Sequence, residues 1–218
     1  MAFPTTSVLD NFTGTDGTDL PVYSTNWART DTNMGGNLEI QGNAATAIAA
    51  AAESDYWTVS NFGPDSEAFI TFTTLPPSVT FNGISLRLVQ EGGTGTVDGY
   101  QVVLRPSAGA ANDVVRYFRI DNAVFTTLGA DITQEFATGD ALGLEMIGTT
   151  LKAYYKASGG SWGTIGTSRT DATYASAGKI GIYCDNTTVR MDSFGGGTVA
   201  AGWALLLNQS RNKLVYTI

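Results

Sequence analysis

The chain has 218 residues, only 15% of them charged, and a formal net charge of −8 at neutral pH. It lacks the clusters of lysine and arginine that bind phosphate backbones or anionic membranes, so neither nucleic acid nor a membrane surface is an expected partner. With no histidine and a single cysteine, Cys184, the sequence excludes Ser-His-Asp and Cys-His catalysis, an intrachain disulfide and an ordinary zinc site.

The first residues, MAFPTTSVLDNF, lack a basic stretch followed by an apolar one, so we predict no secretory signal. The longest apolar run, Ala44–Ala52, is far too short to cross a bilayer, and no membrane insertion is expected. Alanine favours helices, whereas the preceding NLEIQ is typical of a strand. The run is therefore either a strand or a short helix or irregular connection.

Short stretches in which apolar residues alternate with others follow one another along the chain, which predicts half-buried β-strands. The residues expected to face the core are Ala68, Ile70 and Phe72, then Tyr100, Val102 and Leu104, then Leu142, Leu144 and Met146, then Leu151, Ala153 and Tyr155, and finally Ile180, Ile182 and Cys184. Gly148-Thr149 predicts a tight hairpin between two of these strands. Many strands without intervening helical patterns predict an all-β, antiparallel, two-sheet sandwich.

Several segments together resemble the laminin G-like subgroup of the concanavalin A-like lectin and glucanase superfamily. Val8–Phe12 followed by Asn26-Trp27 resembles that subgroup's first strand and its Asp-Phe…Trp start. Residues 139–183 are similar to its pattern G-D-x-L-x-L…T-D-x-x-Y-x-x-G, and residues 189–197 resemble its closing strand. The resemblance implies a jelly-roll sandwich whose closing strand pairs with its first strand.

This scaffold is shared by lectins, adhesion modules, glycosidases and structural domains, so the resemblance implies the fold more than the function. We assign residues 1–199 to the sandwich. Glycosidases of the superfamily have acidic residues at alternate positions of one strand, which places the side chains on one face. Glu145 is the only carboxylate in its strand, and Glu67, Glu91 and Glu135 are isolated in the sequence. We therefore expect a protein that is not an enzyme.

Sugars bind to exposed aromatic planes with polar groups beside them, and two pairs of aromatic residues are candidates. Tyr154 and Trp162 form one pair, and Tyr56 and Trp57 the other. The alternative is that Trp57 lies in the core and Trp162 folds back over the edge of a sheet.

Asp10, Asp16 and Asp19 lie close together in the sequence and are candidate calcium ligands. Carboxylate oxygens suit this cation, but the spacing does not match an EF-hand loop. The alternative is that the aspartates stabilise turns with no metal present. We therefore predict no required cofactor, with calcium as the one metal considered.

Residues 200–218 are predicted to form a C-terminal arm that follows a glycine hinge at Gly195–Gly197. The arm includes Arg211 and Lys213 and no acidic residue, and it is too short to form a core of its own. Its apolar residues are Trp203, Leu205, Leu206, Leu207, Leu214, Val215 and Tyr216. The arm either packs on its own sandwich or docks on a neighbouring subunit as an added strand.

The low charge, the missing histidines and the apolar arm together resemble bacteriophage virion proteins in style. Our first hypothesis is a non-enzymatic structural protein of the virion, in a capsid decoration, fibre or tail. It would assemble through the arm with itself or other virion proteins and display the sandwich at the virion surface. The second hypothesis is a carbohydrate-binding or adhesion module that binds cell-surface glycans.

Overall fold

Strands dominate the part of the chain that the computed structural model describes, residues 2–108 and 113–200. The strands are β1 (Val8–Asp10), β2 (Thr18–Asp19), β3 (Trp27–Arg29), β4 (Leu38–Ile40), β5 (Ala45–Ala47), β6 (Glu53–Trp57), β7 (Ser66–Thr74), β8 (Asn82–Val89), β9 (Asp98–Arg105), β10 (Val114–Asp121), β11 (Val124–Thr127), β12 (Ile132–Thr133), β13 (Ala141–Ile147), β14 (Thr150–Lys156), β15 (Gly163–Thr170), β16 (Lys179–Cys184) and β17 (Arg190–Thr198). One short helix, α1 (Leu20–Tyr23), was not predicted. Within the described ranges, no helix has the length and apolarity needed to cross a membrane.

The strands form two antiparallel sheets that enclose the core, as the all-β sandwich prediction requires. The nine-stranded sheet has the order β15-β14-β13-β7-β17-β5-β4-β2, with β1 added beside β17, and the eight-stranded sheet has the order β11-β10-β9-β8-β16-β6-β3, with β12 added beside β10. Val8 of β1 lies opposite Gly195 of β17, so the predicted pairing of the first and closing strands is confirmed.

The apolar residues predicted to face inward line the space between the sheets. Ile70, Phe72, Val102 and Leu144 are fully buried in one continuous cluster. Burying an apolar side chain of this size stabilises a fold by about 1.5–3 kcal/mol. Cys184 belongs to the same cluster, and its burial raises the pKa of the thiol to about 12, so it acts as a small apolar residue.

The hairpin predicted at Gly148-Thr149 is confirmed. Ile147 lies opposite Thr150, which leaves a two-residue turn between β13 and β14. Gly148 has a φ of 56°, which is costly for residues with a side chain and explains the glycine at this position.

The alanine-rich run Ala44–Ala52 is a strand only in its first part. Ala45–Ala47 forms β5, and bends follow until β6 begins at Glu53. The carboxylate of Glu53 accepts hydrogen bonds from the amides of Ile48 and Ala49, so these amides are not available for a helix. The strand alternative is therefore correct for β5 alone.

The predicted hinge at Gly195–Gly197 is wrong, because these residues lie within β17 and pair with β7. A Cβ atom on Gly195 would lie 2.1 Å from the ring of Phe69, and one on Gly197 would lie 3.0 Å from the methyl group of Thr6. The glycines make room for these neighbours on the outer side of the sheet. The arm that would follow them, from residue 201 onward, lies outside the described residues.

The T-D-x-x-Y part of the sequence pattern has a structural role at one end of the sandwich. Tyr100 donates its hydroxyl to Asp171 at 2.7 Å, and Arg119 pairs with Asp171 at 3.0 Å. Tyr174 donates its hydroxyl to Asp121 at 2.7 Å. Burial alone would raise the pKa of Asp171, but the hydrogen bonds that it accepts lower the pKa to about 2. The motif ties the loop after β15 to the core.

Asp55 joins the two sheets at one edge. It lies in β6 of the eight-stranded sheet, and its Oδ2 accepts the amide of Leu38, where β4 of the nine-stranded sheet begins, at 2.7 Å. The side chain is fully buried and its Oδ1 has no hydrogen-bond partner among the described residues. Burial raises the pKa of Asp55 to about 7.

This pKa predicts a pH-dependent contribution to stability. Between about pH 4 and pH 7 the folded protein keeps a proton that the unfolded chain, with an Asp pKa of about 3.9, has lost. Relative to Asp55→Asn, the free energy of unfolding should fall by up to about 4 kcal/mol as pH rises through that window, and then level off. Urea unfolding of both proteins at a series of pH values measures this difference in the free energy of unfolding. A difference that does not change with pH would contradict this assignment.

Candidate functional site

Tyr56 and Trp57 do not form a common aromatic surface. They are adjacent in β6, so their side chains point to opposite sides of the sheet. Trp57 lies in the core, with its ring 5.3 Å from that of Trp27, and Tyr56 is half-buried on the outer side of the eight-stranded sheet. The core alternative is correct for Trp57, and this pair does not offer a shared plane to a sugar.

Tyr154 and Trp162 belong to one aromatic cluster on the outer side of the nine-stranded sheet, and each of them contacts Phe3. The ring of Phe3 lies between them, stacked on Tyr154 with 3.9 Å between ring centroids and an interplanar angle of 6°. The ring of Trp162 stands edge-on to Phe3 at 5.0 Å and is half-buried. Tyr154 is 8% exposed, because Phe3 covers the plane that was expected to be open.

The strand register builds two parallel rows on this side of the sheet. In one row Phe69 of β7, Gly143 of β13 and Tyr154 of β14 lie opposite one another. In the next row the corresponding residues are Glu67, Glu145 and Lys152. Residues directly opposite across antiparallel strands have Cβ atoms about 4.5–5.5 Å apart, so the two carboxylates are neighbours. We call the surface formed by Glu67, Phe69, Glu145, Tyr154 and Trp162 the aromatic–carboxylate face.

Gly143 forms the floor beneath Phe3. A Cβ atom at this position would lie 2.4 Å from the Phe3 ring and 3.2 Å from the ring of Trp162. A larger residue would therefore displace the ring from its position over the sheet. The missing side chain creates a shallow groove between Phe69 and Tyr154 into which one flat ring fits.

The two carboxylates have different partners. Glu67 Oε1 accepts four hydrogen bonds, from the amides of Thr5 and Thr6 at 2.6 and 2.7 Å and from their hydroxyls at 3.1 and 2.7 Å. Glu67 Oε2 is buried and has no hydrogen-bond partner among the described residues. Glu145 accepts the hydroxyl of Tyr154 at 3.0 Å. Burial, and then the charge of Glu145, raise the pKa of Tyr154, so its hydroxyl stays a donor at neutral pH.

Two lysines flank the aromatic rings of this face. The ammonium group of Lys156 lies 5.6 Å from the centre of the Trp162 ring, and that of Lys152 lies 6.0 Å from the centre of the Tyr154 ring. Both distances are within the range of cation–π attraction. The face therefore combines flat apolar rings, carboxylate acceptors and cationic donors, a set of groups that can bind a polar ligand with an apolar side.

Sequence reasoning missed three members of this face, Glu67, Phe69 and Glu145, and the residue that covers it. Glu67 and Glu145 belong to different strands, so a search for acidic residues along one strand could not pair them. Phe69 is in the outward phase of its strand, a signal that a large apolar residue faces away from the core. No pattern in the sequence places Phe3 over Tyr154.

Asp10 joins β1 to α1 and β3 through hydrogen bonds, which explains the Asp-Phe…Trp pattern. Its Oδ2 accepts the indole N–H of Trp27 at 2.8 Å. Its Oδ1 accepts the amide of Phe12 at 2.8 Å and the hydroxyl of Tyr23 at 3.0 Å. Both oxygens are therefore engaged by donors of the protein itself.

The structure does not bring the candidate calcium ligands Asp10, Asp16 and Asp19 together as one group. Asp16 accepts the amide of Gly42 at 2.7 Å, and Asp19 accepts the side-chain amide of Asn37 at 3.3 Å, so the three carboxylates serve separate contacts. Across residues 2–108 and 113–200, no group of three or more acidic or cysteine side chains is placed to hold a metal ion. The turn-stabilising alternative is confirmed for Asp10, which accepts the amide two residues further on, whereas Asp16 bonds to the distant turn at Gly42.

Comparisons with known proteins identify the fold. No protein-family model and no curated protein matches the chain. Among solved structures, the exoplasmic/lumenal domain of VIP36 in its Ca²⁺- and Man3GlcNAc-bound form is similar, with a TM-score of 0.59, 11% identity, and coverage of 84% of this chain and 88% of that one. A legume lectin-like domain from Entamoeba histolytica has a TM-score of 0.53, 9% identity, and coverage of 84% and 96%.

A third similar structure is the CBM2 module of the evolved Dit protein of Lactobacillus casei BL23 phage J-1. Its TM-score is 0.51, with 12% identity and coverage of 88% of this chain and 96% of the module. At these identities the similarity shows the fold alone. The chain has a concanavalin A-like lectin fold, an antiparallel jelly-roll sandwich.

The role of Asp10 can be separated from calcium binding by experiment. Asp10→Asn replaces one of the two acceptor oxygens with an amide donor, which then faces either the indole N–H of Trp27 or the donors from Phe12 and Tyr23, and should lower the free energy of unfolding by roughly 1–3 kcal/mol. Asp16→Asn, at an exposed position, is the control and should have a smaller effect. The melting temperature of the native protein should be the same with calcium chloride and with EDTA. A rise in melting temperature with calcium that either substitution abolishes would support a calcium site at these residues.

Proposed function

We propose that this protein is a non-catalytic carbohydrate-binding protein whose glycan binds at the aromatic–carboxylate face. One observation supports this above others: the strand register gathers aromatic rings, two carboxylates and two lysines on one outer side of the sheet. Sugar-binding surfaces need these same components, an apolar plane with a few well-placed polar groups.

Each component has a task in this proposal. The half-buried ring of Trp162 stacks on the apolar C–H side of a sugar ring. Glu145 accepts sugar hydroxyls, and Lys152 and Lys156 donate to ring and hydroxyl oxygens. Hydrogen bonds to charged groups contribute about 1.5–3 kcal/mol each, enough to select the orientation of a bound sugar.

The similar structures support a carbohydrate ligand. The VIP36 domain is described with Man3GlcNAc bound, and the phage module is described as a CBM2 module. The domain from Entamoeba histolytica is described as legume lectin-like. These descriptions belong to proteins about one-tenth identical to this chain, so the identity of the sugar is a matter for experiment.

The neighbouring carboxylates act as hydrogen-bond acceptors in this proposal rather than as a catalytic pair. A retaining glycosidase needs two carboxyl groups about 5 Å apart that both reach the scissile bond. Glu67 is fully buried, and its Oε1 is surrounded by donors from Thr5 and Thr6. As long as Thr5 and Thr6 occupy it in this way, Glu67 cannot reach the anomeric carbon of a sugar bound above the sheet.

Trp162→Ala tests the proposal. Loss of the stacking plane should weaken binding to any glycan selected on an array by roughly tenfold or more, as measured by calorimetry. Phe125→Ala is the matched control, because Phe125 is a half-buried aromatic residue on the outer side of the other sheet. Equal glycan binding by Trp162→Ala and by the native protein would refute this location of the site. Release of reducing sugar from a polysaccharide by the native protein would refute the non-catalytic assignment.

A virion location is a second proposal. It is supported by the fold shared with a module of a phage Dit protein and by the contrast between an acidic chain and an arm that contains Arg211 and Lys213 but no acidic residue. In this proposal the arm attaches the sandwich to another copy of the chain or to other virion proteins. The sandwich displays its glycan site at the virion surface.

The arm can be tested by solution mass. A chain ending at Ala200 retains β17 and the hydrogen bond from the amide of Val199 to the carbonyl of Asp65 at 2.9 Å, so it should fold. Light scattering should give a defined oligomer for the full chain and a monomer for the shortened one. Leu206→Asp, which keeps the arm's length, should also give a monomer. A monomeric full chain would contradict assembly of this chain with itself.

A further inference from the structure

The segment Phe3–Thr6 crosses the aromatic–carboxylate face and covers most of it. Phe3 stacks on Tyr154, and Thr5 and Thr6 donate to Glu67. The segment contributes no strand, because β1 begins only at Val8. Its departure would leave the pairing between β1 and β17 unchanged, because the first paired residue of β1 is Val8.

The contacts of this segment correspond to those that a sugar would make. A flat ring lies parallel to Tyr154 at 3.9 Å, the arrangement in which a sugar ring stacks on an aromatic side chain. Two hydroxyl groups and two amides then donate to one carboxylate oxygen. A sugar ring with adjacent hydroxyls supplies the same combination of a flat apolar side and clustered donors.

The surface beneath the segment is suited to an occupant that can be exchanged. Gly143 and Gly197 carry no side chain where Phe3 and Thr6 lie, so the floor is backbone rather than interlocking side chains. Glu67 Oε2 is buried and unused by the segment, although a carboxylate oxygen ordinarily accepts hydrogen bonds. An incoming ligand with one more donor than the segment would therefore gain a contact that the segment lacks.

We propose that the segment Phe3–Thr6 occupies the glycan site of its own chain and competes with the glycan. The inference rests on the proposed function and adds its regulation. With the segment in place, a glycan reaches Trp162 and the two lysines alone. When the segment leaves, Tyr154, Phe69 and the carboxylates become accessible, and the full groove binds the sugar.

Competition of this kind lowers the apparent affinity by the fraction of molecules in which the groove is open. If the segment is in place in nine molecules of ten, removing it should tighten glycan binding roughly tenfold. The gain should be lost again when Glu67 is changed, because the carboxylate is reached only in the open groove.

The experiment compares the full chain, a variant without residues 2–6, and Phe3→Ala. The Phe3→Ala variant keeps Thr5 and Thr6 and replaces the deletion variant in the comparison if the deletion does not fold. Phe125→Ala is again the matched aromatic control. Calorimetry with tetraoses of mannose, glucose, galactose and N-acetylglucosamine measures affinity. A synthetic peptide, AFPTTSV, corresponding to residues 2–8, is added as a competitor in trans.

We expect the deletion and Phe3→Ala to bind a tetraose more tightly than the full chain, the peptide to displace it, and Glu67→Gln in the deletion variant to cancel the gain. Equal or weaker binding by the deletion and by Phe3→Ala, with binding by the full chain retained, overturns the inference and leaves the proposed function standing. Failure of the peptide to compete also overturns it. If no variant binds any tetraose, the proposed function fails and the inference with it.

Discussion

The pairing of β7 with β13 and β17 in the middle of the nine-stranded sheet determines both the core and the candidate site. In β7, Ala68, Ile70 and Phe72 enter the core, and the residues between them face outward. Because side chains alternate with a period of two, a shift of one residue in this pairing would exchange the two sides. Any force that holds the core in register therefore also holds Glu67 beside Glu145.

Two buried carboxylates side by side are costly, since each loses hydration and repels the other. The surrounding groups offset this cost more fully for Glu67 than for Glu145. Glu67 receives four donors from the segment that covers it, and Glu145 receives one from Tyr154 and has Lys152 as its cross-strand neighbour. A pair of apolar residues would be simpler to bury. The arrangement is understandable if the carboxylates bind donors, first those of Thr5 and Thr6 and then those of a ligand.

Elsewhere the buried charges act as ties between backbone segments. Arg87 donates to the carbonyls of Pro64, Gly148 and Tyr174, and Asp31 accepts backbone amides from two loops. Such groups bind several peptide units at once, which an apolar side chain cannot do. Loops joined in this way are fixed to the strands that they connect.

The sequence by itself determined which side chains face the core, the hairpin at Gly148-Thr149 and the absence of histidine chemistry, because these follow from local alternation, turn residues and composition. It also singled out Tyr154 and Trp162, which the structure places in one aromatic cluster around Phe3. Only the tertiary structure decided that Glu67 and Glu145 are neighbours, that Phe3 covers Tyr154, and that Asp10 accepts the indole N–H of Trp27. Those contacts join segments far apart in the chain, and a local pattern contains no information about which distant strand or segment will lie alongside it.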